Sequence, residues 1–152
     1  RIYPVCSPGY AREHPALARA EDLPDHTLLH LEYGKPSFNG VDWRTWLLRQ
    51  GVNAPPARRG LRFNAYPMVL QAAEAGRGVA LGWSYVTDAL VAQGRLVCPV
   101  DRVLATDDGY YLCTSKTAEQ RPEIAVLMRW IDAEARGESR SRMMLGNAKH
   151  SQ

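Results

Sequence analysis

Four histidines and three cysteines are the first residues to test for chemistry, and their spacing argues against it. His14, His26, His30 and His150 form neither an HxxxH nor an HExxH pair, so a zinc site would need ligands from separate loops. Cys6, Cys98 and Cys113 are odd in number, widely separated, and have no CxxC pair or neighbouring histidine. Each falls in a stretch that reads as a strand, so all three are expected to be reduced, buried thiols. Glu32 and Asp42 are candidates for an acid–base pair, but Asp42 stands immediately before a helical run, where capping already accounts for it. There is no GxSxG elbow and no GxxxxGK[ST] loop, and Gly76-Arg77-Gly78 follows a helix where a dinucleotide fingerprint would have to precede one. No catalytic residue, metal ion or cofactor is expected.

What remains is a binding site, and the elements say where it would lie. Ile2 to Cys6 reads as a strand ended by Ser7-Pro8-Gly9, and Arg12 to His26 holds only short helical turns because Pro15 and Pro24 interrupt it. Leu28 to Tyr33 is a second strand, followed by a loop containing Gly34, Pro36, Asn39 and Gly40. Asp42 is a good N-cap for a helix over Trp43 to Gln50 that Gly51 closes, with Trp43, Trp46, Leu47 and Gln50 sharing a face and the tryptophans expected as core anchors. Leu61 to Phe63 is a third strand, and the next helix has Asn64 as its expected cap and Pro67 in its first turn. That helix carries Val69, Leu70, Ala72 and Ala73 on one face, stops on Gly76 as a left-handed C-cap, and hands directly to the apolar strand Val79-Ala80-Leu81. Ser84 is the expected cap of a helix ended by Gly94. Leu96 to Val100 and Tyr110 to Thr114 read as further strands, and Pro122 opens a last helix with a buried stripe at Ile124, Leu127, Ile131 and Ala135.

Strands alternating with helices imply an α/β fold with mixed, mostly parallel sheets and flanking helices. In such a sheet ligands collect at the carboxyl ends of strands. Three loops qualify: Cys6-Ser7-Pro8, Asn64-Ala65-Tyr66 and Trp83-Ser84. The helix start near Asn64 offers unsatisfied N–H groups and a positive dipole end, which suit a carboxylate. Tyr66 and Trp83 would close over an apolar or cationic part of the same ligand. Ser7, Asn64, Ala65, Tyr66, Trp83 and Ser84 are therefore the expected contacts.

The net charge of +3 over 152 residues is a small surplus, and nucleic-acid binding calls for a concentrated basic stripe. Arg58, Arg59 and Arg62 form one cluster, beside Pro55-Pro56, and read as a solvated loop entering a strand. The segment from Gly137 to Gln152 has little apolar pattern and is expected to be disordered. No apolar run approaches the roughly 20 residues that would span a bilayer, and no charged-then-apolar leader precedes the first strand. No membrane association is expected, and the cytoplasm is the expected compartment.

The wording of Val69-Leu-Gln-Ala-Ala-Glu-Ala-Gly-Arg-Gly-Val-Ala-Leu-Gly82 resembles the effector-binding domain of LysR-type transcriptional regulators. The likeness continues through Ala92-Gln-Gly-Arg-Leu-Val-Cys-Pro-Val100 and Gly109-Tyr-Tyr-Leu-Cys113, which look most like the glycine-cleavage-activator branch, and it covers about residues 1 to 136. The resemblance implies a type 2 periplasmic-binding-protein-like architecture. Residues 7–82 would form the inner subdomain and 83–136 the returning part of the outer one, with Ile2 to Cys6 and Val79 to Gly82 as hinge strands. It implies a small-molecule effector in the cleft, assembly as a dimer or tetramer in bacteria, and promoter DNA contacted through an N-terminal winged helix outside this chain. Because the chain opens on Arg1 and its next residues already read as a core strand, it is expected to be a fragment whose outer-subdomain faces lack their partners. The chain departs from the pattern at Ala65, where many relatives carry an acidic residue. One rival is an extracytoplasmic solute-binding protein of similar bilobal fold, which three isolated thiols disfavour. Another is a small thiol enzyme using Cys6 or Cys113.

Overall fold

The computed structural model describes residues 1–32, 41–53, 60–107, 111–119 and 121–136. Expectations for Tyr33 to Gly40, for Pro55, Pro56, Arg58 and Arg59, for Gly109 and Tyr110, and for the tail from Gly137 lie outside the described residues. The chain divides into two units, Arg1–Asp107 and Asp108–Gln152.

In the first unit the strands are β1 (Ile2–Val5), β2 (Leu28–Leu31), β3 (Gly60–Phe63) and β4 (Ala80–Trp83), and the helices are α1 (Pro8–Glu13), α2 (Trp43–Arg49), α3 (Tyr66–Glu74) and α4 (Ser84–Ala92), with a 3₁₀ turn over Ala20–Asp25. β2 and β3 pair in parallel, and β1 and β4 pair antiparallel with Ile2 opposite Trp83 and Val5 opposite Ala80. One parallel bridge, Leu28 to Val79, joins the two pairs. It consists of Leu29 N–H to Val79 O at 2.8 Å and Val79 N–H to Thr27 O at 2.9 Å.

Strand alternation sorts the core into two layers. Ile2, Cys6, Leu28, Val79 and Leu81 face Trp43, Trp46, Leu47 and Tyr10 of α2 and α1. Tyr3, Val5, Leu29 and Ala80 face Val69, Leu70 and Ala73 of α3, with Val86 and Leu90 of α4 packed behind. The tryptophans are core anchors, as their spacing implies: the Trp43 indole N–H donates to Leu29 O at 3.0 Å and that of Trp46 to Ile2 O at 3.2 Å. Asp42 caps α2, accepting from Thr45 N at 2.7 Å. α2, α3 and α4 all end on left-handed glycines, Gly51, Gly76 and Gly94. At α3, Gly76 N–H returns to Ala73 O and Arg77 N–H to Ala72 O, the paired bonds of a Schellman cap.

Two expected strands do not form. Leu96 to Val100 contributes only a bridge, Cys6 to Val97, and the same stretch of chain touches β1 again only at Ile2 to Leu104. Ile2 and Cys6 direct their peptide groups to that side, so by alternation the Pro4 nitrogen faces it too and has no hydrogen to donate. The pairing is interrupted there. Among the described residues Tyr111 to Thr114 has no strand pairing, and Tyr111 and Leu112 are exposed. Cys6 is fully buried, but Cys98 and Cys113 are exposed, against the expectation for all three, because neither of their segments enters a sheet.

The second unit contains α5 (Lys116–Glu119) and α6 (Pro122–Ala135). α6 has no buried residue: Ile124 and Ile131 are half-buried, while Leu127, Ala135, Val126 and Trp130 are exposed. The expected buried stripe is thus not formed, since within this unit the only described helix packed against α6 is the four-residue α5.

Candidate functional site

Because β2, β3 and β4 run in parallel and β1 runs against them, the carboxyl ends of the first three share one edge of the sheet. That edge gathers the Phe63–Asn64 turn, the start of α3 and the Trp83–Ser84 corner. Ser7, at the carboxyl end of β1, lies at the opposite edge. It is buried there beside the far end of α3, where a Cβ on Gly76 would stand 3.4 Å from Ser7 Oγ, and its oxygen caps α1 by accepting from Tyr10 N at 3.1 Å. The structure therefore brings together Asn64, Ala65, Tyr66, Trp83 and Ser84, and does not bring Ser7 to them.

Neither expected cap is one. The residue at the N-cap of α3 is Ala65, in extended conformation with no side chain bonded to the helix amides, and Asn64 precedes it, exposed. Pro67 is tolerated at any first-turn position and so does not fix the helix start. At α4 the N-cap is Trp83, again without a side-chain bond. Ser84 is already the first helical residue; its N–H donates to Arg1 O at 3.0 Å, which prolongs the β1–β4 ladder into the helix.

Above this edge Tyr66 and Trp83 stack with ring centroids 5.0 Å apart and planes 26° apart. The Tyr66 hydroxyl donates to Leu81 O at 3.2 Å and accepts from Trp83 N at 2.9 Å. α3 starts without a side-chain cap, Pro67 has no N–H and the Met68 N–H returns to Ala65 O at 3.1 Å, so what the arrangement offers is the positive end of a nine-residue helix next to an aromatic pair. The polarity of a helix start suits a negatively charged group.

Glu32 and Asp42 serve the scaffold. Glu32 pairs with Arg62 and Asp42 caps α2, so they form no acid–base couple. Burial, with a smaller push from Cys98, raises the Cys6 thiol to about 11; the Cys98 thiol is raised by desolvation, then by Asp88 and Asp101. Both shifts run opposite to what a nucleophilic thiol needs. Two clusters were not foreseen. Tyr10 stacks on His14 at 4.1 Å, and the His14 and His26 rings lie 5.2 Å apart; the Tyr10/His14 spacing of four was the one sequence signal. Tyr3 hydrogen-bonds Asp88, and Thr87 Oγ1 donates to the Tyr3 hydroxyl at 2.9 Å, a contact between β1 and α4 that sequence distance hides. Among the described residues no three or more His, Cys, Asp or Glu side chains converge as metal ligands, and no helix is long and apolar enough to cross a membrane.

A family model described as "LysR substrate binding domain" matches residues 1–136. The chain belongs to that family. It is 36% identical over 137 residues to the glycine cleavage system transcriptional activator of Escherichia coli K12, covering 90% of this chain and 43% of that protein. It is 30% identical to the HTH-type transcriptional regulator DsdC of the same organism, covering 86% of this chain and 42% of DsdC. The family member described here thus spans less than half the length of these curated relatives. Its fold matches the effector domain of the transcriptional regulator AmpR of Pseudomonas aeruginosa with a TM-score of 0.60 at 22% identity, over 93% of this chain and 65% of that one. This confirms the type 2 periplasmic-binding-protein-like α/β architecture. The relatives named are transcriptional regulators, which favours that reading over a solute-binding protein or an enzyme.

Proposed function

We propose that this chain is the small-molecule effector-binding part of a bacterial LysR-type transcriptional regulator that works in the cytoplasm. The whole protein contacts promoter DNA through a separate N-terminal domain and assembles as a dimer or tetramer. In this reading 7–82 belong to the inner subdomain and 83–136 to the returning part of the outer one. The effector carries a carboxylate, which takes the place of the missing side-chain cap at Ala65, while Tyr66 and Trp83 wall its apolar or cationic portion. The observation that carries the reading is the uncapped start of α3 beside the Tyr66–Trp83 stack, in a chain of this family. The effector acts by binding one arrangement of the subdomains more tightly than the other, since a ligand with equal affinity for both shifts nothing.

Calorimetric titration of this chain with glycine, acetate and succinate tests the site. At least one should bind, and Ala65→Asp, which places a competing carboxylate at the helix start, should weaken it tenfold or more, roughly the 1.4 kcal/mol of a charge-assisted hydrogen bond. Equal affinity in wild type and Ala65→Asp would place the ligand elsewhere.

A further inference from the structure

Beyond Val79 the described residues give β4 no strand partner on the side away from β1. Ile2 directs its N–H and C=O to Leu104, so the Ile2–Trp83 pair is a non-hydrogen-bonded one, and so, two residues on, is Pro4–Leu81. Trp83 N–H and Leu81 C=O therefore point outward along the edge of β4. The hydroxyl of Tyr66 meets both, donating to one and accepting from the other. A phenol has one proton and two lone pairs, which lets a single oxygen do what a neighbouring strand would do with an N–H and a C=O. The ring that carries it belongs to the first residue of α3, and it stacks on the residue where β4 turns into α4.

We propose that Tyr66 is a positioning residue whose hydroxyl locks the first turn of α3 to the β4–α4 corner, so that the two move as one body and a ligand seated at the helix start is felt at Trp83. The second half of this statement rests on the function proposed above; the first does not. Without the clamp, Trp83 N–H and Leu81 C=O lose the oxygen that joins them to α3, and the corner opens independently of the helix. The ring stack alone does not prevent this, because stacked rings slide with little cost in direction, whereas a pair of hydrogen bonds fixes both the height and the angle of approach.

Amide hydrogen exchange on the whole chain, resolved by residue, tests it. Tyr66→Phe keeps the ring and removes the oxygen, and should speed exchange of the Trp83 amide about tenfold or more while leaving Leu29 and Val79 at wild-type rates, which separates loss of the clamp from general destabilisation. Unchanged protection of Trp83 would overturn the proposal. A second arm adds glycine, acetate or succinate. In wild type, a bound probe should slow exchange at both Met68 and Trp83; in Tyr66→Phe it should slow Met68 only. Slowing at both sites in the variant would overturn the coupling. If none of the three probes alters wild-type exchange, it is the carboxylate reading of the site that fails, and the probe-free arm still decides the clamp.

Discussion

Gly78 lets the two strand pairs approach each other closely, and substituting it should be strongly destabilising. Its φ of +152° lies where side-chain-bearing residues rarely go, and a Cβ there would stand 2.3 Å from Thr27 O and 3.1 Å from Thr27 Cγ2. Ordinary C···O contact begins at about 3.3 Å, so the Thr27 carbonyl must retreat by roughly 1 Å. That carbonyl accepts Val79 N–H at 2.9 Å, one of the two bonds of the Leu28–Val79 bridge, and a 1 Å retreat breaks it. Leaving the buried Val79 amide unsatisfied costs about 1–3 kcal/mol, and the backbone strain about 1–3 more. The reduced freedom of the unfolded chain returns about 0.4–1 kcal/mol. Gly78→Ala should therefore lose about 3 kcal/mol. Gly94→Ala is the control: φ is +69° and nothing lies within 4 Å of its Cβ, so only the left-handed strain of about 1–2 kcal/mol applies, less the same return. Urea unfolding followed by fluorescence of the buried Trp43 and Trp46 reads both. At a slope of about 1–3 kcal/mol/M, Gly78→Ala should move the midpoint down by about 1 M or more, and clearly further than Gly94→Ala. Equal midpoints would refute the claim that close approach, not positive φ, sets the requirement for glycine.

Asn64→Ala should change stability by less than about 0.5 kcal/mol, since Asn64 does not cap α3, whereas Ala65→Asp should stabilise by about 1 kcal/mol by supplying the absent cap; urea midpoints distinguish the two. Burial and the neighbouring His14 lower the pKa of His26, and burial and Arg62 lower that of His30. The unfolded chain then takes up these protons first, so stability holds above about pH 6.5 and falls as the pH drops below it; urea midpoints at about pH 7.5 and 5.5 check this, and substituting both histidines by Gln should flatten the slope. Burial and the Asp88 hydrogen bond raise the Tyr3 hydroxyl from 10.0 to about 12, so the folded state keeps a proton the unfolded state loses. Stability intact below pH 10 should decline above it, by about 1 kcal/mol between pH 10 and 11 relative to Tyr3→Phe.

The start of α2 and the glycine ends of α2, α3 and α4 were legible because they carry local chemistry. Asp42 caps α2, and Gly51, Gly76 and Gly94 take the left-handed positions that only their sequence context required. Reading failed at two segments whose expected partners are missing beside them. Leu96 to Val100 has the apolar composition of a strand, but the chain beside it is β1, and Pro4 turns a nitrogen without a hydrogen toward it. The apolar stripe of α6 has helical spacing, yet spacing states only which residues share a face; burial needs something to face, and the second unit's described residues supply one short helix.

The site shows the same division. Asn64, Ala65, Tyr66, Trp83 and Ser84 were placed together from the rule that ligands gather at the carboxyl ends of parallel strands. Ser7 was added by applying that rule to β1, and strand direction is what a sequence does not state. β1 runs against β4, so its carboxyl end points to the other edge, some four residues away at about 3.3 Å each. The same reversal explains the Tyr66 clamp. An antiparallel β1 uses one side of β4 for its ladder, and β2 reaches only as far as Val79 on the other. Leu81 C=O and Trp83 N–H thus face away from β1, and a tyrosine at the start of the packed α3 presents both a donor and an acceptor to them from one atom.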